Sequence, residues 1–167
     1  MNVDKIVLSS DHAGFELKEL IKNYLSHQKY QVIDLGPSEP VRCDYPNKAW
    51  EVATLIAQDS ADIGILICGT GIGVSIAANR HPLIRAALAH DEFTAEMARA
   101  HNDAQILCLG ARVLNSQESI KIVNRFLSTS FEGGRHLRRV NLLSQLPTDV
   151  YHFPPEVSQL NDEEGER

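Results

Sequence analysis

Apolar positions along the chain follow two alternating rhythms. Short unbroken runs occur at Lys5–Ser9 (KIVLS), Gln31–Leu35 (QVIDL), Ile63–Ile67 (IGILI), Arg85–Ala89 (RAALA) and Gln105–Leu109 (QILCL). Between them, apolar residues recur at helical spacing, as in Leu17, Leu20, Ile21, Tyr24 and Leu25, and again in Ala49, Val52, Ala53 and Ile56. The runs predict buried strands, and the spaced residues predict helices with one apolar stripe. Punctuation agrees. Gly36-Pro37 closes the second run, and Ser38–Pro46, with Pro40 and Pro46, predicts a loop ordered around Asp44-Tyr45-Pro46. The small residues Val74–Asn79 predict a short helix, and Asp91 an N-cap for a helix running to His101. Asn115 with Glu118 is a capping-box pair before a helix carrying Ile120, Val123, Phe126 and Leu127. A last helix is expected from Arg135 to Gln145, after Gly133-Gly134.

Strands alternating with helices at this pace imply βαβ units. The expected fold is a three-layer α/β/α domain with a five-stranded parallel, Rossmann-like sheet, spanning residues 1–146. Residues 147–167, with Pro154-Pro155 and a closing NDEEGER, read as an acidic, partly disordered tail. Ligands of such sheets bind beyond the carboxyl ends of the strands. That rule gathers Asp11-His12, Cys68–Gly73 and Gly110–Arg112 on one rim. His101-Asn102, at the end of a helix, fall by the same logic at the opposite rim.

Composition narrows the function classes. Hydrophobic content of 43% with 23% charged residues is ordinary for a soluble globular domain. A formal charge of −6 argues against general nucleic-acid binding while leaving room for a local basic pocket. No apolar run approaches the roughly 20 residues that span a bilayer, and MNVDKIVLSS lacks the layout of a signal peptide. The three cysteines, Cys43, Cys68 and Cys108, are odd in number and widely spaced. They fit a reducing, cytoplasmic setting better than a disulfide framework. The seven histidines form no H-x-H or H-x-x-x-H pair, so no metal site is expected.

The richest chemistry lies in Asp62–Arg80. There an apolar run ends at Cys68, and Gly69, Gly71 and Gly73 alternate with Thr70 and Ile72. Glycines let backbone N–H groups approach an anion closely, and a helix N-terminus favours negative charge. A sulfur held there is favoured as thiolate, its reactive form. Three readings compete. A dinucleotide fingerprint would need Gly where Val74 stands, although Asp91 lies near the distance of a ribose-binding acid. A phosphate-binding Walker loop fails because no Gly-Lys-Ser/Thr follows. The plain alternative is a glycine turn beside an inert core cysteine. Elsewhere, Asp11 suits an N-cap and His12 an acid/base or anion-binding role. His101 would be stabilised as a cation at a helix C-terminus. Arg135 and Arg139, at i and i+4, could grip one phosphate, joined in part by Arg138, or could simply face solvent. Cys108 reads as core, and Cys43 acquires no role.

Taken together, S-D-H-A-G at Ser10–Gly14, D-Y-P at Asp44–Pro46, I-C-G-T-G-I-G at Ile67–Gly73, H-N-D at His101–Asp103, G-A-R at Gly110–Arg112 and E-G-G-R-H at Glu132–His136 resemble type B ribose-5-phosphate isomerases. Their family also holds allose- and galactose-6-phosphate isomerases. The resemblance spans about Val3 to Leu146. It implies a cofactor-free aldose–ketose isomerase in which Cys68 moves a proton between C1 and C2 of an open-chain sugar phosphate, assisted by Thr70. The turn containing Gly69, Gly71 and Gly73, with Asn102, would hold the enediolate oxyanion. His101 with Asp11 would open the furanose ring. His12, Arg112, Arg135 and Arg139 would bind phosphate, and Tyr45 would line the pocket. It further implies a homodimer or tetramer with the site shared across an interface, so that His101 can come from a partner. One branch of the family lacks the cysteine and carries Glu where Ser75 stands, which assigns this chain to the cysteine branch. The principal rival of another class is a non-enzymatic nucleotide-binding module.

Overall fold

β-Branched and leucine-rich runs form the centre of the molecule because burial on both faces leaves them no polar side to expose. The structure, a computed structural model, describes residues 3–143. The elements are β1 (Lys5–Ser10), α1 (Phe15–Ser26), β2 (Gln31–Asp34), α2 (Tyr45–Ala57), β3 (Ile63–Cys68), α3 (Ile72–Ala78), β4 (Ala86–Leu88), α4 (Glu92–Ala100), β5 (Ile106–Gly110), α5 (Ser116–Ser128) and α6 (Arg135–Leu143). The five strands are parallel in the order β2-β1-β3-β5-β4. No helix among the described residues is long and apolar enough to cross a membrane.

Strand alternation divides the core in two. Ile63, Ile65 and Ile67 of β3 and Leu107 and Leu109 of β5 pack with α1, α4 and α5, around Ile21, Leu25 and Phe126. Leu66 and Cys68 of β3 and Ile106 and Cys108 of β5 face α2 and α3, around Val52, Ala53 and Val74. The chain runs outward from β1 to β2 and then returns past β1 to β3, so the switch point lies between the carboxyl ends of β1 and β3. Ile6 pairs with Ile63 and Ser10 with Ile67, which brings Asp11 beside the end of β3.

Several boundaries differ from those read off the pattern. Tyr45 and Pro46 open α2 instead of ending a loop, with Asp44 as N-cap, because proline is tolerated in a first helical turn. The helix expected at Val74 begins at Ile72, because Gly71 adopts φ 77° and turns the chain directly into it. β4 is trimmed to Ala86–Leu88, since Arg85 donates its backbone N–H to Gln105 Oε1 at 2.9 Å. Asp91 and Asn115 form the expected caps, each in a reciprocal capping box. The end of the last helix at Gln145 and the tail at 147–167 lie outside the described residues.

The edge strand β2 is tied to α1 by charge. Lys18 is fully buried, and its Nζ donates to Asp34 Oδ2 at 2.7 Å and also to Glu19. Lys22 Nζ reaches the same Asp34 oxygen at 2.7 Å, and the Gly36 N–H binds Oδ1 at 2.9 Å. Burial works against ionisation of Asp34, but the hydrogen bonds from Lys18 and Lys22 outweigh it and hold the carboxyl below its ordinary range. Such a group stabilises the fold fully above its unfolded value, about 3.9, and that contribution is lost as pH falls through the folded value. Asp34→Asn should therefore cost roughly 2 kcal/mol at neutral pH, the scale of hydrogen bonds to charged groups. Urea melts of both proteins check it: the gap should narrow below about pH 4, and a constant gap would assign the loss to something other than charge.

Candidate active site

Three strand-to-helix turns meet at the switch point. Asp11 donates its N–H to Ile67 O at 3.1 Å, Ala111 to Cys68 O at 2.9 Å and Arg112 to Gly69 O at 2.9 Å. These bonds lock the turns after β1, β3 and β5 against one another. Backbones nearly touch at Gly110, where a Cβ would lie 2.7 Å from the backbone carbon of Thr70. Gly71 combines its positive φ with Leu109 backbone 2.9 Å from where a Cβ would stand.

The sulfur of Cys68 lies inside this junction. The residue is 5% exposed, and Sγ accepts the Gly71 N–H at 3.1 Å. An N–H donated to sulfur is worth more when the sulfur is an anion. Because α3 has only seven residues, the turn's own amides, not a long helix dipole, provide the positive field. Cys108 makes the contrast: burial and the neighbouring Cys68 push its thiol far above the ordinary range, as befits an inert core cysteine.

Around the sulfur stand groups able to hold a small polar ligand. Tyr45 covers Gly73 so closely that a Cβ there would meet the ring at 2.7 Å. The Arg112 guanidinium lies over Gly69, 3.4 Å from the corresponding Cβ position. Thr70 is exposed, with its hydroxyl accepting the Ile72 N–H at 3.3 Å. Asp11 caps the turn that follows it, Oδ1 receiving the N–H groups of Ala13 at 2.9 Å and Gly14 at 3.0 Å. His12 is half-buried, and its Nδ1 has no protein partner among the described residues.

The remaining sequence candidates gather elsewhere. α4 starts beyond the carboxyl end of β4 and runs back across the sheet, so His101, its C-cap, reaches the amino-terminal rim. Arg85, at the start of β4, confirms the placement by donating Nε–H to Asn102 O at 2.9 Å. Buried Arg99 fixes the turn, its Nη1 bonding Asp103 Oδ1 at 3.0 Å and Ala104 O at 2.7 Å. A cleft of about 350 Å³ here is lined by His101, Asn102, His136, Arg139, Val140 and Leu143. Arg135 and Arg139 share α6, but Arg135 donates Nε–H to His136 Nε2 at 3.2 Å. One chain thus carries two partial constellations on opposite rims: Cys68 with Asp11, His12, Tyr45, Thr70 and Arg112, and His101 with Asn102, Arg135 and Arg139.

Sequence reasoning gave no role to two members of the second group. His136 is buried and stacks on His101 with ring centroids 4.1 Å apart and planes within 5°. Glu132 Oε2 lies 3.8 Å from His101 Nε2 and 3.7 Å from His136 Nε2. The available signal was the i, i+4 spacing of Glu132 and His136. The three ligand atoms fall within 4.8 Å of one another, a grouping that short histidine motifs do not reveal. Parallel rings, however, hold their in-plane lone pairs in separate planes, and Arg135 already occupies His136 Nε2. As arranged, the cluster pairs charges and does not converge on an ion. The nucleotide reading also weakens, because the Asp91 carboxylate is spent on the Thr94 N–H at 2.7 Å.

The same chain layout occurs in known proteins. A family model described as Ribose/Galactose Isomerase matches residues 6–143. Ribose-5-phosphate isomerase B of Escherichia coli is 42% identical over 142 residues, covering 85% of this chain and 95% of that protein. The solved structure of ribose-5-phosphate isomerase B from Clostridium thermocellum superposes with a TM-score of 0.84 at 44% identity, covering 84% of this chain and 95% of that one. The enzyme from Mycoplasma genitalium, solved with bound ribulose-5-phosphate, gives 0.81 at 45% identity, covering 84% of this chain and 94% of that one. With near-complete coverage in sequence and in fold, the chain belongs to the ribose/galactose isomerase family.

Proposed function

We propose that the chain interconverts ribose 5-phosphate and ribulose 5-phosphate, an aldose–ketose isomerisation of the pentose phosphate pathway, with Cys68 as base. The observation that carries the assignment of the base is the Cys68 sulfur resting on the Gly71 N–H at the switch point. In the forward direction the thiolate takes the C2 proton. The released electron pair forms the C1–C2 double bond and drives the carbonyl electrons onto O1. Return of that proton to C1, with Thr70 helping to move it, and transfer of the O2 proton to O1 complete the ketose. The enediolate is poorly stabilised in water, so fixed donors matter most. The amides of the Gly69–Gly73 turn that are not bonded to the Cys68 sulfur, with Asn102, supply them, each worth about 3 kcal/mol by deletion. A well-placed base adds roughly 10²–10⁴-fold.

His101 and Asp11 open the furanose ring. His12, Arg112, Arg135 and Arg139 hold the phosphate, whose binding energy positions the reacting carbons, while Tyr45 closes the pocket. Because the two constellations lie on opposite rims, a second copy of the chain completes each site. Support comes from the exposed apolar side chains on the α2–α3 side, Trp50, Ile72, Ile76 and Leu83. The working assembly is a homodimer, or a tetramer built from it. The isomerase domain spans residues 1–146, and three free cysteines suit a reducing cytoplasm.

Direct assay of ribose, allose and galactose phosphates tests the assignment. Cys68→Ala should lower turnover of ribose 5-phosphate by about 10³-fold or more while sugar-phosphate binding persists. Near-normal turnover would remove Cys68 as base, and preference for a six-carbon phosphate would reassign the substrate. Arg139→Ala should raise KM about tenfold, the scale of one lost hydrogen bond between charged partners. An unchanged kcat/KM would take Arg139 out of the phosphate site.

A further inference from the structure

Glu132 and His136 are held against His101 more firmly than chance packing requires. The Glu132 N–H bonds Ala100 O at 3.0 Å, which pins its segment to the last residue of α4. Gly133 and Gly134, both with positive φ (65° and 52°), then reverse the chain into α6, and the His136 N–H closes back on Gly133 O at 2.9 Å. The result is an imidazole stacked on His101 and a carboxylate oxygen 3.8 Å from its Nε2.

Charges define the roles of this trio. Arg135 donates to His136 Nε2, so that nitrogen is an acceptor and the neutral ring carries its proton on Nδ1. Burial, the adjacent His101 and the Arg135 cation together hold His136 below the ordinary histidine range, and Arg139 adds to them. Glu132 pulls the other way but does not prevail. Arg99, the other cation of α4, is turned away onto Asp103 and Ala104. The His136 ring is therefore disfavoured as a cation, and the half-buried His101 ring lies beside the Glu132 carboxylate.

We infer that Glu132 and His136 are positioning residues for His101 in sugar-ring opening: the carboxylate pairs with the imidazolium during proton transfer, and the stacked ring fixes its plane. The inference rests on the isomerase reading. It also separates ring opening from the later carbon-to-carbon proton transfer, which Cys68 performs without this trio. A substrate unable to form a ring should be insensitive to its disruption. 4-Deoxyribose 5-phosphate is such a substrate, since it lacks the hydroxyl that closes the furanose.

Steady-state kinetics of the full-length protein, Glu132→Gln and His136→Ala on both sugars test it. Each variant should lose about tenfold or more in kcat on ribose 5-phosphate, the usual cost of removing an orienting partner, with KM changed less than about twofold. Turnover of the 4-deoxy sugar should fall less than about twofold. His136→Phe, which keeps the stack, should recover most of the kcat that His136→Ala loses. Equal losses on both sugars, unchanged kcat on ribose 5-phosphate, or an effect confined to KM would each overturn the inference. Wild-type protein that converts neither sugar would sink the isomerase reading and this inference with it, whereas active wild type with indifferent variants sinks the inference alone.

Discussion

Close approach of backbone to backbone at the carboxyl ends of β1, β3 and β5 is the constraint on which the rest depends. Thr70 can touch the end of β5 only because Gly110 has no side chain, and Gly71 can bend into α3 only because it tolerates a left-handed conformation beside Leu109. Those contacts seat the turn so that the Gly71 amide donates to the Cys68 sulfur. A core cysteine that directly precedes a glycine turn, as Cys68 precedes Gly69, can be inert. A sulfur that receives an N–H from that turn, with Arg112 and Tyr45 lying over the adjacent glycines, is what the proposed function takes as its reaction centre.

The second constraint is topological. Helices in a parallel sheet return the chain to the rim it left, so a residue that ends a helix cannot share a rim with one that ends a strand. Cys68 ends a strand and His101 ends a helix. Their separation within one chain is therefore dictated by the fold. A single copy carries two separate groups of polar side chains, one around Cys68 and one rich in arginine and histidine around His101. The proposed function assigns the first to proton transfer between carbons and the second to phosphate and ring oxygen. On the proposed reading, assembly is a condition of catalysis and not merely of stability.

Much of this was legible in the residues. The five apolar runs became the five strands, and both capping boxes stand where Asp91 and Asn115 mark them. The rim shared by Asp11, Cys68 and Arg112 follows from strand ends alone, as does the exile of His101 to the other side. What escaped depended on long-range contact. Tyr45 begins a helix because Pro46 suits a first helical turn, a choice that a proline-rich loop pattern conceals. Glu132 and His136 sit far along the chain from His101, and no spacing rule connects them. The Lys18–Asp34 pair is hidden for the same reason, since a lysine amid a helix reads as solvent-facing until the sheet edge is placed over it.

The central claim is that each reaction centre joins Cys68 of one copy to His101 of another. Co-folding Cys68→Ala with His101→Ala subunits, each inactive alone, tests it most directly by measuring ribose 5-phosphate isomerisation. Random pairing should restore about a quarter of wild-type activity, because about half the dimers are mixed and one of the two sites in each is whole. Activity no greater than that of the two parents, in a preparation shown to contain mixed dimers, would contradict the account.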